Sequence, residues 1–110
     1  THDNETVMQW RTTADPADIT YARHYLGLNE EEGFNWGVIR GGMSSVADTF
    51  VTQMQDYLGL GAEGRMNAPG SAVGNWQWRL LPGELTVKLI GDIREMTRIY
   101  GRLPTKQAKA

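Results

Sequence analysis

The sequence predicts a helix-rich single domain that carries one long ordered loop, and three observations predict it. Two stretches, 16–26 and 85–100, place apolar residues three or four apart between recognisable start and stop signals. A third stripe of the same spacing runs from Trp36 to Phe50. Residues 65–81 show no periodicity and concentrate turn residues and two tryptophans. With 110 residues the chain fits one domain, and such a chain can bury roughly two-thirds of its unfolded surface.

Asp15-Pro16 reads as a helix start, with Asp at the N-cap and Pro at the first helical position. Ile19, Ala22 and Leu26 follow at helical spacing and Gly27 is a natural stop, so the first predicted helix covers 16–26. Asn29 to Gly33 reads as a solvated turn, and Asn35 as the cap of the next helix. There Trp36, Ile39, Met43, Val46 and Phe50 form one apolar stripe. Gly37, Gly41 and Ser45 form a second stripe of small residues, which lets a neighbouring backbone come close. This helix is therefore expected to be buried on more than one side.

Phe50-Val51-Thr52 has two readings, a short buried strand or a continuation of the helical stripe. Gly59, Gly61 and Gly64 break any regular element. The stretch RMNAPGSAVGNWQWRLL is long for a structureless loop, and loops of that length are usually functional. Pro82-Gly83 is a turn. Leu85, Leu89, Ile93, Met96 and Tyr100 define the last helix, stopped by Gly101 and Pro104. The tail, 104–110, is polar and expected to be disordered.

Composition excludes several classes. Net charge is -2 with scattered Lys and Arg, which argues against a nucleic-acid partner. There is no Cys, hence no disulfide framework and no thiolate zinc site. No apolar run approaches the ~18 residues of a membrane span, and nothing resembles a signal peptide. Gly, at 13 residues, exceeds the usual share of about 7%. Four tryptophans add to the impression of backbone held close to a ligand or to another element.

The candidate chemical residues are few. His2-Asp3 reads as a catalytic pair, a metal pair or a frayed end. Neighbours on an extended segment point to opposite faces, and His24 has no partner at ligand spacing, so a metal site is not expected. No GxSxG elbow or P-loop is present. Trp76 and Trp78 alternate as on one face of an extended segment. They anchor the loop in the core or offer a platform for flat sugar faces. Asn67 aims its amide at a ligand hydroxyl or holds its own turn. Arg65 and Arg79 are expected to pair with carboxylates such as Glu63 or Asp56.

The order of motifs adds more. THDN, SSVADTF, QMQDYLGLGAEGRMNAPG, GNWQWRL and a helix ending IYGRL together resemble the C-terminal end of the amylomaltases, 4-α-glucanotransferases of glycoside hydrolase family 77. The resemblance runs from Thr1 to about Leu103. It implies an α/β fold, the C-terminal part of a (β/α)8 barrel, with one or two short strands in this chain and the active site at the C-terminal ends of the barrel strands. THDN would lie where the seventh strand ends, the Trp36 helix would be the seventh outer helix, FVTQM the eighth strand, and the Leu85 helix would close the ring.

The resemblance also implies the chemistry. The reaction would be retaining transfer of an α-1,4-glucan segment between maltooligosaccharides, without a cofactor, in a cytoplasmic enzyme. Asp3 matches the third carboxylate, which steadies the sugar as positive charge grows in the transition state. His2 would bind a neighbouring hydroxyl, and Asn67 would be a substrate contact in the same cleft. Nucleophile and acid/base lie upstream of THDN in the family, so the 110 residues alone are expected to be inactive. Their uncovered strand edges and apolar faces are expected to drive self-association, with FVTQM joining the preceding helix as one outcome. The competing reading is a non-catalytic helical module that binds glucan or a protein.

Overall fold

The computed structural model describes residues 4–68 and 75–104. Their helices, in chain order, are α1 (Val7–Thr13), α2 (Pro16–Leu26), α3 (Phe34–Met43), α4 (Met54–Tyr57) and α5 (Val87–Ile99), with one 3-10 turn, Ala62–Gly64, after α4. The bounds of α2 are those the sequence predicts. Asp15 Oδ1 accepts the Ala17 N–H at 2.9 Å, and Gly27 closes the helix at φ 66°, a conformation that costs glycine little.

No element is predicted over residues 5–14, where the structure has α1. Its start is nonetheless chemical. The Thr6 hydroxyl accepts the Gln9 N–H at 3.1 Å, the first half of a capping box with the T-x-x-Q spacing. Phe34, at the start of α3, joins the first three helices. The Trp10 ring lies 6.4 Å from its ring, and the Arg11 and Arg23 guanidinium groups each sit 5.5 Å from its centroid.

Asn35 does not cap α3. The cap is Gly33, at φ 96°, and Asn35 is buried inside the first turn, where its Nδ2 donates to the Asp56 carbonyl at 2.6 Å. A buried carbonyl needs a donor, and the amide supplies it. The helix also stops earlier than its stripe suggests. The Ser44 and Ser45 hydroxyls donate back to the Gly41 and Gly42 carbonyls at 3.2 and 2.8 Å, an alternative to helix continuation. Arg102 then takes the carbonyls of Met43 at 2.9 Å and Ala47 at 2.8 Å. Val46 consequently lies in solvent rather than on the apolar stripe.

The expected strand at FVTQM is absent, as is any other strand among the described residues. Gln53 has the extended backbone of a strand, φ -83° and ψ 146°. Extended backbone becomes a strand only when a neighbour supplies the ladder, and no described segment does so. Nor does FVTQM join the preceding helix: residues 44–49 intervene, and Met54 opens α4.

The core centres on Ile39, Met43 and Tyr57, with Trp36, Phe50 and Met54 packed around them and Leu89, Ile93, Met96 and Tyr100 of α5 against them. The small-residue stripe works as predicted at Gly37 and Gly41. A Cβ there would stand 2.5 Å from Leu28 Cδ2 and 2.7 Å from Leu26 Cδ2, so the end of α2 lies directly on α3. Arg40 fastens this junction, donating to Glu32 at 2.8 and 3.0 Å and to the Leu26 carbonyl at 2.7 Å. α5 begins at Val87, two residues beyond Leu85, because Thr86 is the residue that caps it, accepting the Leu89 N–H at 3.0 Å.

Candidate active site

His2 and Asp3 lie outside the described residues. The described chain opens at Asn4, and a groove of about 570 Å³ begins there, a volume ordinary for a ligand cleft. Its walls are apolar: Val7 and Trp10 from α1, Ala22 and Leu26 from α2, Val38 and Ile39 from α3, then Phe50 and Val51. Its polar lining includes Asn4, Glu5, Gln53 and Asp56.

The last three of these form a bonded cluster. Asp56 Oδ1 accepts the Val7 N–H at 2.8 Å. Gln53 Nε2 donates to Asp56 Oδ2 and to the Glu5 carbonyl, each at 3.4 Å. Asn35 holds the Asp56 carbonyl from the α3 side. Asp56 is 6% exposed, and burial pushes its carboxyl above the ordinary value, while the Val7 and Gln53 bonds pull less strongly the other way. The signal for this cluster was not in any one motif. It needs two segments 49 residues apart to meet.

Asp56 is therefore not the partner of an arginine. The ion pairs among the described residues are Arg40–Glu32, Lys88–Asp92 and Arg98–Glu95, so the expected pairing of Arg65 or Arg79 with Glu63 or Asp56 does not form. Arg65 Nε instead donates to the Asn67 carbonyl at 3.1 Å.

Asn67 is half-buried and is not among the residues that line the groove at Asn4. The loop around it is stitched across its base. The Ala68 N–H donates to Asn75 Oδ1 at 2.9 Å, and the Trp76 N–H donates to the Met66 carbonyl. The two tryptophans do not share one face of an extended segment. Trp76 sits in a turn at φ 62° and is half exposed, which also removes it from the core. Trp78 lines a separate shallow cleft with Glu63, Arg65, Arg79 and Glu84. No group of three or more His, Cys, Asp or Glu among the described residues is arranged to hold a metal ion. No helix among them is long and apolar enough to cross a membrane.

Residues 1–86 match the family model described as 4-alpha-glucanotransferase, glycoside hydrolase family 77. The chain belongs to that family. The 4-alpha-glucanotransferase of Clostridium butyricum is 48% identical over 103 residues, covering 93% of this chain and 21% of that protein. That of Thermus thermophilus is 44% identical over 108 residues, covering 94% and 22%. Among solved structures, the amylomaltase from Streptococcus agalactiae in complex with acarbose matches with a TM-score of 0.89 at 36% identity, over 94% of this chain and 21% of that one. The chain thus spans about a fifth of the length of the family 77 proteins it resembles, and its fold matches the corresponding part of an amylomaltase.

Proposed function

We propose that this chain is the C-terminal segment of a retaining 4-α-glucanotransferase that moves α-1,4-glucan segments between maltooligosaccharides. The observation that carries the reading is the family match over residues 1–86, which begins at THDN and so includes His2 and Asp3. In this reading the helices are outer elements of a (β/α)8 barrel: α3 is the seventh, α5 closes the ring, and residues 50–54 take the place of the eighth strand once a neighbouring strand supplies the ladder. The acarbose held by the S. agalactiae neighbour supports a glucan as substrate.

Asp3 is the transition-state stabiliser. Its carboxylate holds hydroxyls of the distorted sugar, and those bonds strengthen as the oxocarbenium-like charge develops. His2 binds a neighbouring hydroxyl and Asn67 contacts the substrate. The two carboxylates that attack the anomeric carbon and protonate the leaving oxygen are supplied from outside these residues. No cofactor takes part, and the location is cytoplasmic. Alone, the chain self-associates through the apolar surface that the rest of the enzyme would cover.

The test is maltotriose disproportionation by the complete enzyme carrying this segment. Asp3→Asn is expected to lower kcat by about 10²–10³-fold, the loss seen when one preorganised polar contact to a developing charge is removed. Full activity in that variant refutes the assignment.

A further inference from the structure

The segment bearing His2 and Asp3 leads directly into α1, and its foot is held from α4 and the residue before it. The Val7 N–H is bound by Asp56 Oδ1 at 2.8 Å, the Glu5 carbonyl is bound by Gln53 Nε2 at 3.4 Å, and Thr6 between them is fully buried. Asp56 is itself braced from behind, where Asn35 of α3 donates to its carbonyl at 2.6 Å. A continuous polar path thus runs from α3 through Asp56 to the backbone at residues 5–7. Residue 3 is two peptide units from the held carbonyl, within about 7 Å of chain reach.

Placing a carboxylate here is costly. Asp56 is 6% exposed and has no cationic partner among the described residues. A first-turn amide can be satisfied by water or a neutral side chain, so stability alone does not call for a buried acid. What the acid adds is a short, charge-assisted bond that fixes one backbone position firmly.

On the functional reading given above, we propose that Asp56 is a positioning residue for the Asp3 carboxylate, acting through Val7 and, with Gln53, through Glu5. Misplacing a reacting group by ~1 Å can cost about 10²-fold in rate, so a loosened foot is felt at the sugar. A merely structural Asp56 would instead change the amount of folded enzyme and leave turnover per folded molecule unchanged.

The experiment is a double-mutant cycle in the complete enzyme, with kcat and KM for maltotriose measured per folded molecule. Asp56→Ala is expected to lower kcat about 10²-fold with a far smaller change in KM. Asp56→Asn keeps an oxygen for the Val7 amide but not the charge-assisted bond, and so recovers only part of that loss. With Asp3→Asn already in place, Asp56→Ala lowers kcat by less than about threefold, because no carboxylate remains to be positioned. Should Asp56→Ala not fold, Gln53→Ala, which frees the Glu5 carbonyl, enters the cycle in its place. Equal fold-losses in both backgrounds, or an unchanged kcat, overturn the positioning role while the enzyme remains a transferase. A complete enzyme that transfers no glucan, or ignores Asp3→Asn, overturns the functional reading and this inference with it.

Discussion

α3 and α5 pack against the same cluster around Ile39, yet α3 buries Phe34, Asn35, Gly37, Ile39 and Met43, while α5 buries no residue. α5 has the cleaner division into apolar and polar faces. Its Leu89, Ile93 and Met96 reach the core, but Val87 and Ile99 remain 88% and 58% exposed. α3 has other elements on several sides: the end of α2 on Gly37 and Gly41, Phe50 under Gly42, and α4 against Asn35. An apolar stripe states that a helix has a face to bury. The depth of burial is set by what arrives on its other sides, and small residues there are the mark of such arrivals.

Substitutions can break or sharpen this contrast. The largest effect is expected at Ile39, which is 1% exposed. Ile39→Ala should cost about 2–5 kcal/mol by removing buried methyl groups and leaving a cavity, read as a fall in the denaturant midpoint. A loss near zero would mean that α3 is not the central helix.

Paired glycines give the next test. A Cβ on Gly42 would stand 2.0 Å from Phe50 Cε1, whereas one on Gly91 of α5 meets nothing within 4 Å. Gly42→Ala should cost about 1–3 kcal/mol through overpacking. Gly91→Ala should gain up to about 1 kcal/mol from helix propensity. Thermal unfolding of both variants reads the opposite signs directly, and equal signs would erase the distinction between the helices.

The smallest effect concerns Asp56 and pH. Its folded-state value is raised above the ordinary 3.8, with burial as the leading cause. The folded form then holds the proton more tightly than the unfolded one. The associated stabilisation is fully present below 3.8 and is lost as pH rises through the raised folded value. Wild type should therefore lose stability over that range relative to Asp56→Asn, measured by thermal unfolding in a pH series. A difference that runs the other way would place the carboxylate among stabilising partners instead.

Local rules carried the sequence reading where local forces decide. α2 is legible from Asp15-Pro16 to Gly27 because cap, first-turn proline and left-handed stop all lie within the element. α1 was missed, although a local start signal of the same kind, Thr6-x-x-Gln9, stands in the sequence beside the THDN motif that drew the reading. Tertiary contacts decided the rest. Asn35 gives up its capping role to satisfy the Asp56 carbonyl, and Arg102, 59 residues beyond Met43, ties off the end of α3. FVTQM has strand-like residues, but ladder partners are not written in the segment itself. Of the candidate site, the family resemblance points to His2, Asp3 and Asn67 by motif. Gln53 and Asp56 do lie in the quoted motif QMQDYLGLGAEGRMNAPG, but their bonds to the backbone at residues 5–7 are not written there, since they exist only when α4 meets the start of α1.

The central claim is that these residues form one part of an active site completed by carboxylates from elsewhere. The most direct measurement is product analysis after the purified 110-residue chain is incubated with maltotriose. No glucose and no longer maltooligosaccharides above a buffer blank is the result expected. Disproportionation by the chain alone would contradict it, because a nucleophile and an acid/base would then have to lie among residues assigned here to support and positioning.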